Sequence, residues 1–126
     1  MKRFDRASVA EETLVILKAG QYTNPSGRVV SLGKALRQAK EGTCTYPPEA
    51  SVQVPAFPDR STRIEVVNAS TLEAARGLAD KGHRVAALNF ASAKNPGGGF
   101  LTGARAQEES LARASGLYAM LLGDPM

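Results

Sequence analysis

"RIEVVNASTLEAARGLADKGHRVAALNF" (Arg63–Phe90) decides how the rest of the chain is read. Its first run, Arg63 to Ala69, is rich in β-branched residues and reads as a strand. Ser70 followed three residues later by Glu73 is a capping box, which opens a helix over "TLEAARGLADK", and Gly82 ends it. "RVAALNF" (Arg84–Phe90) is a second apolar strand. A strand–helix–strand unit of this kind predicts a right-handed crossover between parallel strands, the core of an α/β sheet.

On the C-terminal side follows "ASAKNPGGGFLTGARAQEES", and then Leu111, Leu117, Tyr118 and Leu121 mark the buried stripe of a last helix over about 104–122. The glycine-rich stretch thus lies between the end of a strand and the start of a helix. On the N-terminal side, Ala7, Ala10, Leu14 and Leu17 follow a 3-4-3 spacing with Gly20 placed for a left-handed cap, which predicts an amphipathic helix over 5–19. "YTNPSG" reads as a turn, "RVVSL" as a short strand and "GKALRQAKEG" as a short helix ending near Gly42. "TYPPEASVQVPAFPDRS" holds four prolines, which remove backbone donors, and reads as a surface connection.

At 126 residues the chain has the length of one domain. Its 43% apolar and 22% charged residues are ordinary globular usage, and no apolar run is long enough to cross a bilayer, so no membrane association is expected. Acidic and basic residues near the N-terminus interrupt any signal-peptide core. Cys44 is the only cysteine and His83 the only histidine, which excludes an internal disulfide and a Cys/His zinc site and favours a reducing, cytoplasmic setting. The net charge of +4 is scattered, and no interleaving of aromatic and basic residues points to direct nucleic-acid binding.

Two features carry chemistry. Gly97, Gly98 and Gly99 can take positive φ and lack a Cβ, so their N–H groups can turn inward around an anion, with a phosphate or diphosphate as the natural guest. The plainer account is that Asn95-Pro96-Gly97 makes a tight turn. Glu108 and Glu109 point about 100° apart on a helix, so one can act while the other orients. Their plainer account is charge complementarity with the helix dipole. Gly97, Gly99 and Gly103 also fit a spaced-glycine dinucleotide fingerprint, but a helix stands where that fold needs a second strand, and no Gly-Lys-Ser/Thr completes a Walker pattern. A diphosphate cradle at a fixed distance from an acid suits an enzyme that acts on a nucleoside-diphosphate sugar.

Gly97-Gly98-Gly99, seven intervening residues and then Gln107-Glu108-Glu109 resembles the signature of poly(ADP-ribose) glycohydrolases, and Asn89–Met126 is similar to the bacterial type throughout. The likeness extends more weakly to "ETLVILKAGQY" and Arg63–Phe90. It implies a macrodomain-like three-layer α/β/α fold with a mixed sheet, an N-terminal helical layer over about 1–60, and the strand–helix–strand unit with the catalytic loop over about 61–126. It implies poly(ADP-ribose) and ADP-ribose as ligands, ADP-ribosylated proteins as partners, a place in the DNA damage response, and no metal or other cofactor. By resemblance, Glu109 is the catalytic acid/base and Glu108 holds ribose hydroxyls. Gln107 supports them, Gly97 to Gly99 contact the diphosphate and shape the ribose pocket, Asn95 is a further ribose contact, and Phe100 either packs against the ribose or belongs to the core.

Family members run to about twice this length, so the expectation is an incomplete N-terminal portion, truncated at the C-terminus. The second diphosphate loop and the adenine-stacking aromatic would then lie beyond Met126, and a complementing C-terminal fragment or a swapped dimer would close the exposed sheet edge. Two other readings stay open at this point: a non-catalytic ADP-ribose-binding macrodomain, and a dinucleotide-binding fragment of an oxidoreductase.

Overall fold

The computed structural model describes residues 2–56 and 60–123, so Met1, residues Phe57, Pro58 and Asp59 of the proline-rich connection, and the last three residues lie outside the described part. Helix α1 (Arg3–Ala19) leads into a hairpin of β1 (Gln21–Thr23) and β2 (Val29–Ser31), then α2 (Gly33–Glu41). After the connection come α3 (Thr71–Ala79), a 3-10 turn (Phe100–Thr102), α4 (Gln107–Ala114) and α5 (Leu117–Leu121). The architecture is mixed helix and strand.

Helix α1 ends where the glycine requires it: Gly20 has φ +65°, and its N–H donates to the Ile16 carbonyl at 2.9 Å. The stretch read as a turn is a hairpin. Asn24 Oδ1 accepts from the N–H groups of Ser26 and Arg28 at 3.1 and 2.9 Å, folding β1 back on β2 in antiparallel register with Tyr22 opposite Val30.

The capping box at α3 is complete: Ser70 Oγ accepts from the Glu73 N–H at 3.3 Å, while the Ser70 N–H donates to Glu73 Oε2 at 2.8 Å. The flanking segments differ from expectation. Among the described residues no ladder joins 63–69 to 84–90, and the one sheet is the antiparallel β1–β2 hairpin. Val66 is 95% exposed and Leu88 72%, so β-branched composition is present without the backbone partner that makes a strand.

The last helix is also two helices rather than one. Ser115 is extended at φ −153°, its hydroxyl donates to the Leu111 carbonyl at 2.7 Å, and its Oγ accepts from the Leu117 N–H at 3.2 Å. One side chain therefore closes α4 and opens α5, the competition with helical bonding that makes serine a poor interior residue. At the neighbouring Gly116 a Cβ would come within 2.9 Å of Leu36 on α2, so the glycine lets α2 and α5 approach.

The buried core is small and lies beneath the glycine loop. Ala10 of α1, Phe100 and Ala112 of α4 are wholly inaccessible, with Leu14 and Tyr118 packed against them. Alanines at both helix contacts let α1 and α4 close on the Phe100 ring, which meets Tyr118 at 4.6 Å between centroids.

Hydrogen bonds from the Ser70 hydroxyl and then the Ser70 N–H hold the Glu73 carboxyl below its ordinary value of 4.5. A depressed folded-state value means the cap contributes in full above the unfolded value and is lost as pH falls through the folded one. Carbon-detected NMR titration should therefore place the Glu73 midpoint below 4.5 in the native chain, and Ser70→Ala should return it toward that value.

Candidate active site

The site is built where the chain leaves residue 90, passes through the glycines and enters α4. A turn starts it: the Gly98 N–H donates to the Asn95 carbonyl at 2.8 Å, and Gly97 and Gly98 take φ of +74° and +59°. These left-handed values are open to glycine at little cost. The loop folds its amides inward, onto the chain's own carboxylates. The Gly97 N–H donates to Glu108 Oε1 at 3.1 Å and the Gly99 N–H to Glu109 Oε1 at 3.0 Å.

This geometry explains the glycine triplet more closely than a phosphate cradle does. All three amides already have acceptors inside the protein. A Cβ on Gly98 would stand 2.5 Å from Glu109 Oε1 and 3.3 Å from Glu108 Oε2, and one on Gly97 would stand 2.9 Å from the Tyr118 ring. The loop is side-chain-free because two carboxylates and an aromatic ring occupy the space that side chains would need.

Glu108 is 3% exposed and engaged at both oxygens: Oε1 accepts from Asn89 Nδ2 at 3.3 Å as well as from Gly97, and Oε2 accepts from the Ser92 N–H at 2.7 Å. Glu109 is 9% exposed and only half engaged, because Oε2 is buried with no hydrogen-bond partner among the described residues. Two adjacent glutamates on one helical turn thus have different surroundings. Each loop bond to a carboxyl oxygen contributes about 0.5–3 kcal/mol, the upper part of that range belonging to ionised acceptors.

Gln107 works as a backbone clamp. Its Oε1 accepts from the Phe90 N–H at 2.9 Å, and its Nε2 donates to the Leu88 carbonyl at 2.7 Å and to Thr71 Oγ1 at 3.2 Å. The start of α4 is thereby tied to residues 88–90 and to the start of α3.

On the opposite side, three guanidinium groups hold three successive carbonyls. Arg3 Nε donates to Thr102, Arg6 Nε to Gly103 and Arg113 Nη1 to Ala104, at 2.9, 2.8 and 2.9 Å. Gly103, at φ +74°, lies so close to Arg3 that a Cβ would overlap the Arg3 carbonyl oxygen. Burial and then the neighbouring Arg6 charge pull the Arg113 guanidinium below its ordinary value, while the Glu109 charge acts the other way. Arg113 remains a cation near neutral pH and so supplies positive charge beside Glu109.

Of the residues singled out in the sequence, Gly97, Gly98, Gly99, Gln107, Glu108 and Glu109 come together in one hydrogen-bonded unit. Asn95 is exposed and contributes its carbonyl to the turn. Phe100 is corrected: at 0% exposure against Ala10, Ala112 and Tyr118, its ring is the floor of the loop and offers no face to a ligand. Asn89 was missed. Its signal was a polar residue at the carboxyl end of an apolar run, where open α/β sheets place ligand contacts. An apolar cavity of about 630 Å³ between α1, α2 and α5 lies apart from both glutamates and lacks the convergent polar groups of a ligand site.

A side-chain-free loop bonded to two buried glutamates at a helix start is thus the form that Gly-Gly-Gly followed by Gln-Glu-Glu takes in this chain. The family model described as the microbial-type PARG catalytic domain matches residues 10–126, and the chain belongs to that family. A solved poly(ADP-ribose) glycohydrolase (PARG) from Thermomonospora curvata is 50% identical over 95% of this chain, with a TM-score of 0.83. The same organism's enzyme bound to the inhibitor ADP-HPD is 49% identical over 95% of this chain and 44% of its own, and a glutamate-to-alanine mutant is 48% identical over the same shares. Both have TM-scores of 0.82. The chain spans about half the length of these solved relatives, 46% of the first. No curated protein matches it.

Replacing Gly98 by alanine forces a Cβ against Glu109 and strains a left-handed backbone. Gly98→Ala is expected to lower stability by about 2 kcal/mol in denaturant unfolding, and Gly27→Ala, whose Cβ meets nothing within 4 Å, by only the smaller backbone cost.

Proposed function

We propose that this chain forms the catalytic loop region of a poly(ADP-ribose) glycohydrolase, an enzyme that hydrolyses the ribose–ribose O-glycosidic bond and releases ADP-ribose. The observation that carries the reading is the asymmetry of Glu109: Oε1 is fixed by the Gly99 N–H, and Oε2 is buried and unclaimed among the described residues. An acid/base must come within hydrogen-bond reach of the proton it moves, and Oε2 is the oxygen whose lone pairs no group of the described residues has taken. Membership of the microbial-type PARG family supports the substrate class. The ADP-HPD complex of the Thermomonospora curvata enzyme supports an ADP-ribose-type ligand.

In mechanism, protonated Glu109 gives its proton from Oε2 to the leaving 2′-oxygen as the bond from that oxygen to the anomeric carbon breaks. The bonding electrons go to the departing ribose, and an oxocarbenium-like sugar remains. The Glu109 carboxylate then takes a proton from water as the water oxygen attacks the anomeric carbon, which returns the acid to its starting form. Glu108 is bonded to the loop and has at most one further lone pair for a ribose hydroxyl. Gly97 to Gly99 present a surface without side chains to the distal ribose and diphosphate, their amides being engaged with protein acceptors.

The same reading gives the chain a single domain, with the helical layer over about 1–60 and the loop-bearing part over about 61–126, on a three-layer α/β/α macrodomain plan. The TM-score of 0.83 to a solved glycohydrolase supports that plan. A reducing, cytoplasmic compartment suits the exposed, unpaired Cys44.

Incubation with poly(ADP-ribose) tests the reading. Carried in a complete glycohydrolase domain, the chain should release ADP-ribose, and Glu109→Gln should lower the rate by 10²-fold or more while calorimetric affinity for ADP-ribose changes little. Binding without release by the unaltered sequence in that complete domain would make it an ADP-ribose reader. Unchanged turnover in Glu109→Gln would remove that residue from the chemistry.

A further inference from the structure

Asn89, in the segment before the loop, reaches the paired glutamates with a side-chain hydrogen bond, and its setting is unusual. Nδ2 donates to Glu108 Oε1 at 3.3 Å, while Oδ1 is buried with no hydrogen-bond partner among the described residues. A buried amide oxygen left unpaired costs about 1–3 kcal/mol. Turning the amide over would not relieve this, because Oδ1 would then face a carboxylate, which only accepts. The amide is therefore held donor-inward although its acceptor goes unmet, and an arrangement of that kind calls for a reason.

The aim of the side chain is set by its neighbours. Gln107 binds the Leu88 carbonyl and the Phe90 N–H, the backbone groups on either side of Asn89, as an adjoining strand would. With both flanks fixed, the Asn89 amide reaches Glu108 Oε1, the same oxygen that receives the Gly97 N–H. Gly97 and Gly99 are two residues apart in one tight turn, and Gly99 is the donor that fixes Glu109.

We propose that Asn89 is a positioning residue: clamped by Gln107, it fastens Glu108 to the glycine loop and so sets the place of the Gly99 amide and of Glu109. The catalytic consequence rests on the glycohydrolase reading, but the latch is a property of the unliganded chain. It requires a donor at position 89, not merely a side chain of that size.

Backbone amide exchange by NMR on the full 126-residue chain tests it without substrate. In Asn89→Ala the Gly97 and Ser92 amides should exchange on the order of tenfold faster or more, with α1 amides unaffected. Unchanged protection would overturn the proposal. Asn89→Asp keeps the size and replaces the donor by an acceptor. The titrating groups around it are Glu108, the adjacent Glu109 and, behind that, the Arg113 cation. At roughly pH 5 a proton shared between the carboxyl introduced at position 89 and that of Glu108 stands in for the amide N–H, and protection should approach that of the native chain at the same pH. At roughly pH 8 both carboxylates are charged, and it should be lost. Native-like protection at both would overturn the proposal, and this comparison decides the matter if the alanine variant fails to fold. In hydrolysis the aspartate variant should show the same loss with rising pH. A complete domain carrying this sequence that releases no ADP-ribose, beside a chain that shows these exchange changes, would sink the glycohydrolase reading and leave the latch standing.

Discussion

The acceptance of glycine-loop amides by two neighbouring glutamates is the constraint around which the site is arranged. Gly97 and Gly99 donate to Glu108 and Glu109 respectively, and the intervening Gly98 has no room for a Cβ between the two carboxylates. Burying two acids on one helical turn is unfavourable unless hydrogen bonds compensate. Here the loop amides and the N-terminal end of α4 supply that compensation, so the loop conformation and the buried pair depend on each other. Neither is explicable alone.

The remaining elements hold this unit from two sides. Gln107 ties the start of α4 to residues 88–90 and to Thr71, while Arg3, Arg6 and Arg113 hold the carbonyls that lead into the helix. Beneath the loop, Phe100 is wedged between Ala10 and Ala112, where a larger residue on either helix would lift the floor. The site thus rests on α1, which lies nearly a hundred residues away in sequence, as much as on the helix that bears the acids. That dependence is why a short catalytic signature needs a whole layer of helix behind it.

The asymmetry between the glutamates is chemically the most consequential result of the packing. Glu108 has both oxygens claimed, by Asn89, Gly97 and Ser92, whereas Glu109 keeps one oxygen without a partner among the described residues. Identical side chains on adjacent residues are thereby separated into one bonded at both oxygens and one bonded at a single oxygen. Environment alone makes the difference.

Helix α1 with its Gly20 cap, the Ser70–Glu73 box and the placing of Gly-Gly-Gly before Gln-Glu-Glu were all legible in the sequence, because each depends on contacts within a few residues. What the local pattern left undecided is every feature that needs a distant partner. Arg63–Ala69 and Arg84–Phe90 have strand composition without a ladder, since pairing requires a second backbone that no run of β-branched residues can specify. A local exception is Ser115, whose hydroxyl bonds to the Leu111 carbonyl and accepts from the Leu117 N–H, splitting a helix that periodicity carried through. The glycines' amides turned toward carboxylates rather than toward a phosphate, Phe100 turned toward the core, and Asn89 entered the site from an apolar run. The sequence by itself determined the spacing of the glycines and the acids; the tertiary structure decided which carboxyl group is bonded at both oxygens and which at one, because that depends on donors brought from 10 to 19 residues away.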